Sequence, residues 1–279
     1  HCLIDGDLYL PESWSADRPR CQQAGIPDEV VYRPKWQIAL ELYDRARENG
    51  VTFDWLTFDE LYGAKPLFLQ SLAEREQHFV AEVPVSFTGW IERPPVAQRA
   101  YRRGGRGRSR KTPRLGSGAR PASSVRDLFQ QASVFRDQPW TRYRVKESQK
   151  GPVVWEVKQA PWVMKNDLGL PGLELQLVVA RNVLNTDEIK YFVCHAPRDT
   201  KVTTLLLAAF SRWRVERCFE DQKQEIGLDA WEGRKWLSLQ RHLILSSVSY
   251  LFLARVRKEL RGEKLRVNRL PGPLSHRST

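Results

Sequence analysis

The chain has 279 residues, with 45 lysines and arginines against 33 acids and a net charge of +12. That length supports a sizeable core, as one domain with an insertion or as two domains. No uninterrupted apolar run reaches membrane-spanning length and no secretory leader pattern stands at the start, so no membrane partner is expected.

In chain order, residues 35–49 carry Trp36, Ile38, Ala39, Leu42, Tyr43 and Ala46 at helical spacing, and Gly50 follows as a stop. Residues 52–63, TFDWLTFDELYG, read as a short buried strand ending in Asp59, with a turn at Gly63. An acid at the carboxyl end of a strand suits a metal ligand in an α/β fold; the plainer alternative is a surface aspartate opening a turn. Strands are predicted at 78–87, 140–146, 153–158, 175–183 and 190–195, where β-branched, aromatic and leucine residues sit between turn formers. Asn185, Thr186, Asp187 and Glu188 form the turn of the last hairpin. Between the first two of these strands, residues 99–126 hold ten basic residues and no acid, interleaved with Gly, Ser and Pro. Such a stretch cannot bury a core and reads as a flexible basic loop that favours a polyanion partner.

Residues 211–228, SRWRVERCFEDQKQEIGL, carry the chemistry. Arg212, Glu216 and Lys223 are spaced by four and then seven, which places them within roughly 40° on one helical face. A carboxylate flanked by two cations suits a site that handles a divalent ion and phosphate; a solvated face with an ordinary i,i+4 pair is the bland alternative. Residues 243–256 form the most apolar helix candidate, and 263–279 read as a disordered basic tail. Cys2, Cys21, Cys194 and Cys218 show no paired metal-ligand spacing and read as free thiols of a reducing cytoplasm. Cys194 and His195 are an isolated pair with a structural role. Of ten tryptophans, Trp140, Trp155 and Trp162 are candidates to stack on an exposed base.

The run Arg212-Trp213-Arg214-Val215-Glu216, with Phe219 and Lys223, resembles the Y-R-E-K signature of DDE transposases of the fourth insertion-sequence family, in the branch known as DDE superfamily endonucleases. The tyrosine position is Ala209 here. The DELYG string resembles that family's second aspartate motif, and Gly227 to Glu232 with Arg241 and His242 also look like it. The resemblance implies an incomplete RNase H-like α/β fold, with a β-rich insertion between Asp59 and Glu216, which lie 157 residues apart. The expected domains are 1–88 and 198–262 for the RNase H-like part, 89–197 for the insertion with its basic loop, and the tail from 263.

By the same resemblance, Asp59 and Glu216 are catalytic acids and metal ligands, and Arg212 and Lys223 hold DNA. Two Mg²⁺ ions serve phosphoryl transfer on element ends and target DNA, and a dimer joins two ends in the bacterial cytoplasm or nucleoid. The chain begins at His1 and its sole methionine is Met164. The resemblance makes residues 8–14 the third strand, so the first two strands and the first aspartate are expected to be missing by truncation. The chain alone is then expected to be inactive or feeble; the alternative is a non-catalytic DNA-binding remnant of a decayed element.

Overall fold

The computed structural model describes residues 3–97, 112–148 and 151–267. In chain order the elements are α1 (Glu12–Ala16), α2 (Arg18–Ala24), α3 (Lys35–Glu48), β1 (Leu56–Phe58), α4 (Glu60–Gly63), α5 (Pro66–Glu74), β2 (Phe79–Val83), β3 (Thr88–Trp90), β4 (Val96–Ala97) and β5 (Arg114–Leu115). There follow β6 (Ser123–Ser124), α6 (Val125–Gln131), α7 (Ser133–Arg136), β7 (Thr141–Ser148), β8 (Gly151–Lys165), β9 (Pro171–Asn182), β10 (Ile189–His195), α8 (Val202–Ser211), α9 (Trp213–Ile226) and α10 (Trp236–Val267). Two compact units emerge, one of Ala39–Arg212 and one combining His1–Ile38 with Trp213–Thr279. The helix predicted at 35–49 is α3, and Gly50 ends it at φ +77°, where glycine carries no Cβ penalty.

The unit of Ala39–Arg212 is built on a mixed sheet in the order β1-β2-β10-β9-β8-β3-β6, with β7 also paired to β8. β1 and β2 run parallel, and the other pairs in this sheet are antiparallel. Strand alternation divides its residues between two apolar layers. On one face Val80, Val178, Ala180, Phe192 and Cys194 pack under Leu205, Leu206 and Ala209 of α8. On the other, Phe58 and Phe79 meet, and Phe58 also meets Phe68 of α5 with ring centroids 5.1 Å apart. β2 is shorter than the predicted strand because Pro84 has no N–H to donate and a turn closes from Phe87 N–H to the Pro84 carbonyl. The β9–β10 hairpin forms around Asn185–Glu188 as its turn residues predict.

Three expectations differ from what is observed. The predicted boundary between 88 and 89 runs through one continuous sheet, since β2 pairs with β10 and β3 with β8. Of the expected basic loop, 98–111 lies outside the described residues, but from Arg114 onward the chain forms β5, β6 and the start of α6. Ser124 caps α6 by accepting the Asp127 N–H, and the Trp90 indole N–H donates to the Arg120 carbonyl, so local hydrogen bonds offset the apolar poverty of this stretch. Residues 8–14 form no third strand: Leu8–Leu10 has no strand partner among the described residues, and α1 begins at Glu12.

In the other unit, Leu10 instead packs with Cys21 and Ile26, flanked by Trp14 and Trp236. α9 turns Cys218 and Gln222 inward against α10. Burial, reinforced by a hydrogen bond with Cys218, pushes the Tyr250 hydroxyl pKa up to about 12. α10 contains the predicted 243–256 helix and continues to Val267, past the expected start of the tail, because no proline interrupts it before Pro271. Residues 268–279 lie outside the described residues. No helix among the described residues is long and apolar enough to cross a membrane.

Candidate active site

Asp59 sits at the carboxyl end of β1, where the chain turns into α4. Its backbone is extended, and its carboxylate accepts the Leu61 N–H at 3.1 Å as the helix N-cap. This satisfies one of the amides that a helix start leaves without a partner. The Gly63 N–H closes the turn on the Asp59 carbonyl at 2.8 Å. Gly63 then lies directly on the Glu82 main-chain carbonyl, so closely that a Cβ there would overlap it. DELYG thus has a local physical logic: the aspartate caps, and the glycine lets α4 sit down on β2. The Tyr62 hydroxyl pKa is raised by burial, and the nearby Asp59 charge adds to the rise.

The register brings in a residue that sequence reading missed. Phe58 pairs with Ala81 across the parallel strands; Asp59 is the residue that follows β1, and Glu82, the next residue of β2, projects to the side opposite Ala81. That side is the one α8 covers, because Glu82 also lies opposite Phe192. The Glu82 carboxylate is 13% exposed, and each of its oxygens faces a cation. Lys190 Nζ donates to Oε1 at 2.6 Å, and Arg212 Nε lies 3.8 Å from Oε2. Arg212 reaches this place because it directly follows α8, with helical φ −55° and ψ −35°. The sequence signal was a lone acid inside the apolar run Phe79-Val80-Ala81-Glu82-Val83, where an acid is costly to bury unless paired.

Glu216 and Lys223 lie on α9, two turns apart and exposed. At about 100° per residue they face roughly 140–160° away from Cys218, which points inward. Arg212 closes one compact unit and Trp213 opens the other. The structure therefore brings Arg212 to the sheet that ends in Asp59, and Glu216 and Lys223 together on α9 of the second unit.

A family model described as DDE superfamily endonuclease matches residues 1–152, more than half of the chain. The chain belongs to this family. No curated protein matches it. The matched segment of this DDE endonuclease contains Asp59, Gly63 and Glu82, whereas Arg212, Glu216 and Lys223 lie beyond it. Asp59 and Glu216 are hard oxygen donors of the kind divalent ions take. No group of three or more His, Cys, Asp or Glu side chains stands ready to hold a metal among the described residues.

The remaining candidates sort by burial. Trp155 and Trp162 are core residues at 4% and 1% exposure and can stack on no incoming base. Trp140 is partly exposed, but its ring already carries the Arg181 guanidinium at 4.1 Å and the Lys158 ammonium at 5.1 Å. Cys194 is buried, which pushes its thiol pKa upward. His195 stacks on Phe79, and its Nδ1 lies 3.1 Å from the Gln77 carbonyl, so the pair is structural. Cys21 and Cys218 are likewise buried free thiols, and Cys2 lies outside the described residues.

Proposed function

We propose that this chain is a transposase-type endonuclease of the fourth insertion-sequence family, acting on DNA phosphodiesters at element ends. In this reading Asp59 and Glu216 are the second and third acids of the DDE set and would supply ligands to Mg²⁺, which polarises the phosphate when bound. Arg212 and Lys223 hold DNA phosphate. The observation that supports the reading is that the signature arginine, Arg212, pairs with Glu82 of β2, the strand that runs parallel beside β1 and its following acid, Asp59. A flexible side chain could carry a cation anywhere on a surface with net charge +12, yet this one is fixed at the strand ends by an ion pair.

With only two acids of the set assigned, the chain alone is a feeble catalyst, because phosphoryl transfer depends on placing its charges. DNA binding is therefore the sharper test. Fluorescence anisotropy on a labelled duplex should show tighter binding with Mg²⁺ than without, and Asp59→Asn and Glu216→Ala should each remove the difference. Binding indifferent to Mg²⁺ and to both substitutions would leave a DNA-binding protein without the catalytic site. Vigorous Mg²⁺-dependent nicking of supercoiled plasmid would sink the statement that the chain alone is feeble.

A further inference from the structure

We propose that Glu82 is a positioning residue that holds Arg212 over the carboxyl ends of β1 and β2 for contact with a DNA phosphate. The inference rests on the phosphate role given to Arg212 above.

Glu82 follows Ala81, the partner of Phe58, on the strand that runs parallel beside β1. Its side chain is nearly buried in a strand whose other four residues are apolar, so its charge must be compensated locally. The compensation is unequal. Lys190, two residues from Phe192 on the neighbouring β10, makes a short charge-assisted hydrogen bond to Oε1. Arg212 faces Oε2 at 3.8 Å, a Coulombic contact longer than a hydrogen bond. Lys190 therefore fixes the carboxylate, and the carboxylate holds the guanidinium by attraction. A phosphate oxygen arriving at the strand ends can then take charge-assisted hydrogen bonds from Arg212 without a long side chain first having to be ordered.

Positioning and simple electrostatics predict opposite signs. Replacing Glu82 by glutamine removes a negative charge, so electrostatics alone tightens DNA binding. If Glu82 orders Arg212, Glu82→Gln instead weakens binding to a labelled duplex by about fivefold, the scale of a partly exposed ion pair. In an Arg212→Ala background the same change should produce no weakening. A second readout needs no DNA: phenylglyoxal condenses with accessible guanidinium groups, and peptide mass mapping reports the rate at Arg212. That rate should rise by about fivefold in Glu82→Gln if the ion pair restrains the side chain.

Tighter binding by Glu82→Gln, or equal weakening with and without Arg212, overturns the inference, as does an unchanged Arg212 rate. A wild-type chain that binds no duplex overturns the phosphate reading and this inference with it, whereas wild-type binding with an unchanged Arg212 rate overturns the inference alone. Should Glu82→Gln lose its cooperative thermal transition, Glu82→Asp carries the test. Its shorter carboxylate should make Arg212 react faster than in the wild type, and equal rates refute the role.

Discussion

Gly63 rests on the main-chain carbonyl of Glu82 with no space between them for a β-carbon. That contact ties the helix turn after Asp59 to the strand that carries Glu82, so the positions of the two acids are mechanically linked. Gly63→Ala should destabilise the protein by about 1–3 kcal/mol, the usual cost of overpacking. Urea unfolding measures it, and a variant as stable as the wild type would show that α4 can lift away freely.

Asp59 has two duties that substitution can separate. As the N-cap of α4 it accepts the Leu61 N–H, a service that asparagine performs about equally well and alanine does not. Asp59→Ala should cost about 1 kcal/mol of stability, while Asp59→Asn should stay within about 0.5 kcal/mol of the wild type. Both should lose Mg²⁺-responsive DNA binding. Retention of that response by Asp59→Asn would confine the residue to capping.

Glu156 lies between two guanidinium groups, with Arg181 as the stronger influence and Arg142 at 3.0 Å. Together they hold its carboxyl below the ordinary carboxylate value. The unfolded chain therefore takes up this proton at higher pH than the folded one. The stabilisation is complete above the unfolded value of about 4.3 and is lost as pH falls through the folded value. The stability gap between wild type and Glu156→Gln should narrow on acidification from about pH 6 to about pH 3. Thermal melts across that range test it; a gap that stays constant would mean that the carboxylate's charge contributes nothing.

DNA affinity should fall steeply with salt, as expected for a protein of net charge +12 that neutralises phosphates. Arg212→Ala and Lys223→Ala should each make the slope of log affinity against log salt shallower by about one unit. A slope unchanged by either substitution would remove that side chain from the phosphate contacts.

Some of this was legible because the signals are local. α3 announces itself by its apolar period and by Gly50, and the β9–β10 hairpin by Asn185 and Asp187 between two apolar runs. Asp59 could be placed at a strand end for the same reason. Glu82 could not, because its meaning comes from an ion pair with a residue 108 places after it in the chain. No window along the sequence contains both Glu82 and Lys190. Leu8–Leu10 misled in the opposite way: its apolar character was real, but a strand requires a partner, and burial of Leu10 beside Cys21 answered the same need. Arg212 caps α8 with helical backbone angles, and α9, which carries Glu216 and Lys223, begins at the next residue.

β1 is three residues long and stands at the edge of the sheet, with β2 as its single strand neighbour among the described residues. β9, by contrast, is held between β10 and β8. Amides along β1 should therefore exchange their hydrogens with solvent through small local openings, at far lower cost than those of β9. The acid proposed to meet metal is mounted at the end of a short edge strand, so hydrogen exchange in β1 should slow when a ligand grips Asp59, before any change is felt in the interior strands.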